Sequence, residues 1–164
     1  QGVLVMGQIL TCAGMMEDKQ VSWIPSYGPE MRGGTANCSV IISEHPIGSP
    51  IVYEPTAAVV MNQQSLDKFE PMVEPCGVLI VNRSLITAEV KRKDIKSYGV
   101  AVNDIASELG NSKMANMVAL GALIAATGVV KKESLFKAFS QKFAAKPQIL
   151  KANQEAIERG YTSI

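Results

Sequence analysis

The sequence predicts an α/β protein in three layers, with helices on both faces of a largely parallel central sheet. Two unbroken apolar runs, Ala57 to Met61 and Gly77 to Val81, are the first sign. Unlike the alternating strands of a half-solvated sheet, such runs suit parallel strands covered on both faces. Between them, Ser65 to Met72 leaves room for the crossover helix that a parallel pair requires. Past Asn103, segments of helical character follow one another to the end of the chain.

The elements follow in order. Val3, Met6, Leu10 and Ala13 recur at helical spacing, so a buried helix is expected over Gly2 to Met16, starting at or before Gln1-Gly2. Val21 to Ile24 reads as a short strand ended by Pro25, and Ala36 to Ile42 as a second strand. Glu44 to Pro50 is turn chemistry. After the strand–helix–strand unit comes a strand over Tyr98 to Val102, with Asn103 as the N-cap of a helix over Asp104 to Leu109. Three helices are expected over Lys113 to Ala126, Glu133 to Phe143 and Pro147 to Arg159. Gly110 and Gly128 mark stops, Pro147 suits a first helical position, and Gly160 is expected to end the last helix. No internal repeat or low-complexity linker divides the chain, so residues 1–164 read as one domain.

The apolar fraction is 47% and the charged fraction 19%, ordinary for a globular protein. A net charge of +1 gives no field for a polyanion, which argues against nucleic acid. The longest apolar run, Val118 to Val130, is interrupted by Gly121, Thr127 and Gly128 and falls short of the roughly 20 residues of a membrane span. It reads as a buried helix, and no membrane association is expected. Cys12, Cys38 and Cys76 are far apart, no C-x-x-C pair exists, and His45 is the only histidine. That pattern fits a reducing cytoplasm and argues against a zinc site or iron–sulfur cluster built from this chain alone.

Catalytic candidates are few. Cys12 on the first helix and Cys38 on a strand read as small core residues rather than nucleophiles. A Cys/His or Ser/His arrangement would have to recruit His45 from its turn. Glu17, Asp18, Glu70 and Glu74 read as solvated surface, not as acid–base pairs. Gln1-Gly2 ahead of an apolar helix is compatible with the end of a glycine-rich loop that seats a phosphate on a helix N-terminus. The stretch SYGPEMRGGTANCS, Ser26 to Ser39, is richer. If it is extended, Glu30 and Arg32 share a face. Gly33-Gly34 permits close approach of another backbone, and Thr35 adds a short polar group. A solvated loop with a weak ion pair seldom combines Tyr27, Glu30, Arg32 and a double glycine, so a recognition surface is expected. In Gly110 to Gly128, Met114, Met117, Val118, Gly121 and Ala125 fall near one helical face, and Gly121 would let a neighbour approach closely.

PSYGPEMRGGTANCSVIIS, Pro25 to Ser43, resembles the signature stretch of the gamma subunit of 2-oxoacid:ferredoxin oxidoreductases, most like the 2-oxoglutarate branch, with the branched-chain and pyruvate branches behind it. IGSP at Ile47 to Pro50 and the GN…NMVALGAL run also match, so the resemblance covers essentially the whole chain. It implies that Gln1-Gly2 is the remnant of a G-x-G-G-Q-G loop, and that this domain lacks its first strand and the glycines of that loop. It also implies a non-catalytic subunit of an enzyme that turns a 2-oxoacid and coenzyme A into an acyl-CoA and carbon dioxide, with electrons passing to ferredoxin. The isolated chain would be inactive and would bind no cofactor alone. The complex would use thiamine diphosphate, Mg2+, iron–sulfur clusters and coenzyme A. Its partners would be thiamine-diphosphate-binding alpha and beta subunits, a ferredoxin-like delta subunit and ferredoxin as acceptor. Tyr27, Glu30, Arg32, Gly33, Gly34 and Thr35 would then form a subunit-docking or coenzyme A-side surface. An orphaned interface of this kind also allows an isolated chain to pair with itself. The competing reading is a free-standing nucleotide- or coenzyme A-binding α/β domain using the first-helix N-terminus.

Overall fold

The computed structural model describes residues 1–26, 36–144 and 146–164. In order, the elements are α1 (Val3–Met16), β1 (Gln20–Ser26), β2 (Asn37–Ser43), β3 (Ala57–Val60), α2 (Gln63–Phe69), β4 (Val78–Asn82), β5 (Lys96–Val100), α3 (Val102–Glu108), α4 (Ala115–Thr127), α5 (Lys132–Lys142) and α6 (Pro147–Tyr161). The strands form two sheets. One is parallel, in the order β3-β4-β5, and the other is the antiparallel pair β1-β2. The parallel sheet matches the expectation, whereas the first two strands stand apart from it as their own ribbon.

The layering follows from the pleat, because successive side chains point to opposite faces. Ile80 of β4 enters the large core shared by α1, α3, α4, α5 and α6, while its neighbours Leu79 and Val81 enter a smaller core on the other face. That second layer is thin. It consists of Leu66 and Phe69 from α2, and Ile86, Val90 and Ile95 from the connection between β4 and β5. A three-layer α/β/α arrangement results, with one face built of helices and the other largely of loop.

Helix α4 is the centre of the large core, with every residue from Ala115 to Ile124 buried. A helix apolar on all sides can only be an interior helix. Its contact with α6 depends on two glycines. A Cβ at Gly121 would lie 2.0 Å from the carbonyl oxygen of Ile157, and one at Gly160 would lie 1.9 Å from that of Val118. Each glycine therefore lets the backbone of one helix rest on the other. The expectation for Gly121 holds, but Gly160 does not end α6: it sits in the last turn of a helix that runs on to Tyr161. Its conformational freedom matters less here than its missing side chain.

Two other boundaries shift. Strand β1 continues through Pro25 to Ser26, which a two-stranded ribbon allows because a proline without an N–H is tolerated where no ladder bond is lost. Helix α3 begins at Val102, so Asn103 lies inside it and is not its cap. Ser84 takes that role from a distance: its Oγ accepts the backbone N–H groups of Asn103 and Asp104 at 3.1 and 3.2 Å. Gly110 and Gly128 stop α3 and α4 with φ of 83° and 60°, as their sequence positions suggest.

Candidate functional site

In a parallel sheet all carboxyl ends share one edge, and ligands of open α/β sheets gather there. Here that edge is a row of neutral amides. Asn62 follows β3 and caps α2, its side chain accepting the Ser65 N–H at 2.9 Å. Asn82, only 1% exposed, ends β4. Its Nδ2 donates to Met61 O at 3.1 Å and to Asn103 Oδ1 at 2.7 Å, while its Oδ1 accepts the Ser84 N–H at 3.1 Å. One buried amide thus ties together the ends of β3 and β4 and the first turn of α3.

The start of α1 is drawn into the same row. Gln1 Nε2 donates to Met61 O at 3.2 Å, and Asn62 Nδ2 donates to Gln1 Oε1 at 3.0 Å. From the first turn of α4, Asn116 Nδ2 donates to Gly2 O at 3.1 Å. Gly2 has a left-handed φ of 74°, and a Cβ there would lie 2.5 Å from Asn116 Nδ2, so both conformation and space call for glycine. Of the expected site residues, Gln1 and Gly2 therefore lie at the carboxyl edge of the sheet. Of the amides around them, Asn62, Asn82 and Asn116 are not singled out by the sequence, and Asn103 is expected there only as a helix cap. Apart from Asn62 directly after a strand, single asparagines scattered between positions 62 and 116 carry no local pattern. The row offers donors and acceptors for holding a polar group but no acid, base or nucleophile.

The other candidate, Tyr27, Glu30, Arg32, Gly33, Gly34 and Thr35, lies outside the described residues; its stem does not. β1 and β2 pair from Gln20↔Ser43 to Ser26↔Asn37, so the paired strands end at Ser26 and Asn37 on either side of it. The inner face of the ribbon rests on α1 at two glycines, Gly7 and Gly14, about two turns apart on one helical face. Cβ atoms built at Gly7 would meet Cys38 Sγ at 2.5 Å and Trp23 Nε1 at 2.9 Å, and at Gly14 Val21 and Ile42. The Trp23 indole N–H is buried and makes no hydrogen bond among the described residues. Its polar neighbour over Gly7 is the Cys38 sulfur, a weak acceptor. Cys38 Sγ lies 3.4 Å from Val3 O and can donate to it, and burial pushes its thiol above the ordinary range. Cys38 is thus a packing residue that joins the ribbon to the first turn of α1, in line with its reading as a small core side chain.

Past the ribbon, residues 44–56 run to β3 without a regular element, with Ile51 58% and Tyr53 75% exposed. An open cleft of about 340 Å³ beside Asp67, Glu70 and Arg92 looks better equipped. The charges of Glu70 and Arg92 are already committed, however. Glu70 Oε1 accepts the N–H groups of Lys91 and Arg92, and Arg92 pairs with Asp94 and donates to Val73 O. Among the described residues no three His, Cys, Asp or Glu side chains gather in a way that could hold a metal ion. Cys12 on α1, Cys38 on β2 and the exposed Cys76 ahead of β4 do not fit an iron–sulfur cluster, nor do the described residues fit a magnesium-bound diphosphate. No described helix is long and apolar enough to cross a membrane.

A family model described as pyruvate ferredoxin/flavodoxin oxidoreductase matches residues 1–163. A ketoisovalerate oxidoreductase subunit, VorA, from Methanothermobacter thermautotrophicus is 39% identical over 98% of this chain, which spans only 33% of that protein. A 2-oxoglutarate synthase subunit, KorC, from Methanocaldococcus jannaschii is 38% identical over 84% of this chain and 75% of its own length. Among solved structures, the gamma subunit of a keto/oxoacid ferredoxin oxidoreductase from Geobacter sulfurreducens superimposes with a TM-score of 0.84 at 31% identity, covering 99% of this chain and 90% of that one.

Proposed function

Because this chain belongs to the pyruvate ferredoxin/flavodoxin oxidoreductase family, we propose that it serves as the gamma component of a multi-subunit 2-oxoacid:ferredoxin oxidoreductase. In this reading it assembles with thiamine-diphosphate-binding alpha and beta subunits and a ferredoxin-like delta subunit in the cytoplasm. The complex converts a 2-oxoacid and coenzyme A to an acyl-CoA and carbon dioxide and passes electrons to ferredoxin. In this reading thiamine diphosphate, Mg2+ and the clusters belong to the other subunits; among the described residues no three His, Cys, Asp or Glu side chains gather to hold a metal ion. The observation that carries the proposal is the agreement in fold and length with a gamma subunit that is itself a separate chain. The VorA relative, in which the same domain is a third of a longer protein, supports packing against further domains.

The reading includes a contribution of this chain to the coenzyme A side of the complex, which the polar groups at the sheet edge support. The pantetheine arm of coenzyme A presents amides and its diphosphate presents charge. Gln1 and Asn62 offer amides beside the N-terminus of α1, where backbone N–H groups favour an anion. Recovery of the tagged chain from its native cells should bring down a thiamine-diphosphate subunit and a ferredoxin-like subunit. The recovered complex should reduce a viologen dye only when a 2-oxoacid and coenzyme A are both supplied. Recovery of the chain alone, with coenzyme A binding to it by calorimetry, would instead establish the free-standing domain.

A further inference from the structure

A second recess lies where α1, α4, α5 and α6 converge, with a volume of about 200 Å³. Its floor is apolar, built of Met114, Met117, Phe139, Phe143 and Ile149. The Phe139 and Phe143 rings lie 4.7 Å apart at a tilt of 34°, which fixes one wall. Polar atoms on the rim are mostly spent within the protein. Asn153 Nδ2 donates to Ile149 O at 2.8 Å, and Asn111 Oδ1 accepts the Lys113 N–H at 3.1 Å.

The one charged residue lining this recess is a lysine, and two further lysines are close to its wall in the chain. Lys113 lines it, and Lys142 and Lys146 bracket the wall residue Phe143 in the chain. All three are exposed and none forms an ion pair among the described residues. Lys142 Nζ reaches only the neutral Gln8 Oε1, at 2.6 Å. No carboxylate lines the recess. Glu155 on α6 stands two residues beyond the lining Asn153 and so projects about 200° around the helix from it. By contrast Arg159 and Lys132, elsewhere on these helices, are matched by Glu108 and Glu158.

Size separates the classes of occupant. Pockets for cofactors and drug-sized ligands enclose roughly 300–1,000 Å³, so this recess suits one inserted side chain. A buried anchor ringed by polar groups is the usual energetic centre of a protein interface. We propose that this recess receives an apolar anchor side chain from a segment of a partner subunit, flanked there by aspartate or glutamate that meets Lys113, Lys142 and Lys146. The inference rests on the assembly reading above and adds the place and chemistry of one contact.

The test starts from assembly of the wild-type full-length chain with the co-purified, identified subunits. Lys113→Glu combined with Lys146→Glu should raise the dissociation constant at least tenfold and flatten its salt dependence. Lys146 precedes the first turn of α6, where a carboxylate is favourable, so folding is not at risk. Lys137→Glu, two residues from Phe139 and directed away from the recess, should leave assembly unchanged. Asn153→p-benzoylphenylalanine should photo-crosslink to a partner peptide in which an apolar residue has acidic neighbours. Wild-type affinity in the charge-reversed variant, a crosslink to a basic peptide or a crosslink to a second copy of this chain would overturn the inference and leave the assembly reading standing. Failure of the wild-type chain to assemble would overturn both.

Discussion

The crossing of α4 and α6 and the ribbon of β1 and β2 show two different uses of glycine. At the crossing, Gly121 and Gly160 are pressed against backbone carbonyls of the facing helix, and every residue of α4 from Ala115 to Ile124 is buried. At the ribbon, Gly7 and Gly14 are pressed against side chains, and no residue of β2 is fully buried. Backbone cannot move aside without separating two helices, while side chains and a two-stranded ribbon can. The crossing is therefore where the fold is held, and the ribbon is where the fold has freedom to meet something else.

The sharpest way to break that contrast is at its rigid end. Gly160→Ala would place a methyl 1.9 Å from the Val118 oxygen, far inside contact distance. Overpacking of this kind costs about 3 kcal/mol or more. Gly48→Ala, where nothing lies within 4 Å, should stay within about 0.5 kcal/mol. Urea denaturation of both variants decides the matter: equal midpoints would mean that α4 and α6 do not hold the fold.

Asn82 comes next, because it belongs to the core side of the comparison by burial and to the candidate site by position. Asn82→Ala leaves Asn103 Oδ1 without this donor and Met61 O with only Gln1, at a cost of about 2 kcal/mol. The expected readout is a lower midpoint with faster amide exchange at Ser84 and at the start of α3, whose Ser84 cap Asn82 positions. Unchanged exchange there would show that the amide row is not a connected unit.

The same division explains what could be read from the sequence. The parallel unit β3–α2–β4 and the helices from α3 onward were legible, since apolar runs, Gly110, Gly128 and Pro147 are local signals. Pairing β1 with β2 as a separate ribbon was not, because strand runs do not announce their partners. Gly160 was misread as a stop because its role depends on Val118, distant in sequence. Of the amide row at the sheet edge, the sequence singles out only its neighbours Gln1 and Gly2 as site candidates. Asn62, Asn82, Asn103 and Asn116 meet through tertiary structure alone, and Ser84 caps a helix that starts eighteen residues after it, beyond any capping motif in sequence.

Gly7→Ala probes the yielding end. The new methyl would displace Cys38 Sγ and Trp23 Nε1, and the ribbon should lift from α1 at about 1–2 kcal/mol. Trp23 is the only tryptophan, so its emission should shift to the red as the indole gains water. A variant that loses the same stability with unshifted emission would place the strain inside α1 instead of at the ribbon.

The smallest effect on stability should come from Ile51→Ser and Tyr53→Ser in the segment that leads from the ribbon to β3. Both side chains are more than half exposed, so neither change should exceed about 0.5 kcal/mol in a denaturation experiment. Large apolar side chains held out in water on a segment with no regular structure contribute little to this chain alone. Their contribution is expected on assembly, where an aromatic contact that becomes buried is often worth 2 kcal/mol or more. Measured against the identified subunits, Tyr53→Ser should weaken association by about tenfold or more while the melting temperature of the free chain stays put. A fall in stability with unaltered association would reverse the assignment, making this segment part of the framework and leaving recognition of a partner to other surfaces such as the ribbon and the lysine-rimmed recess.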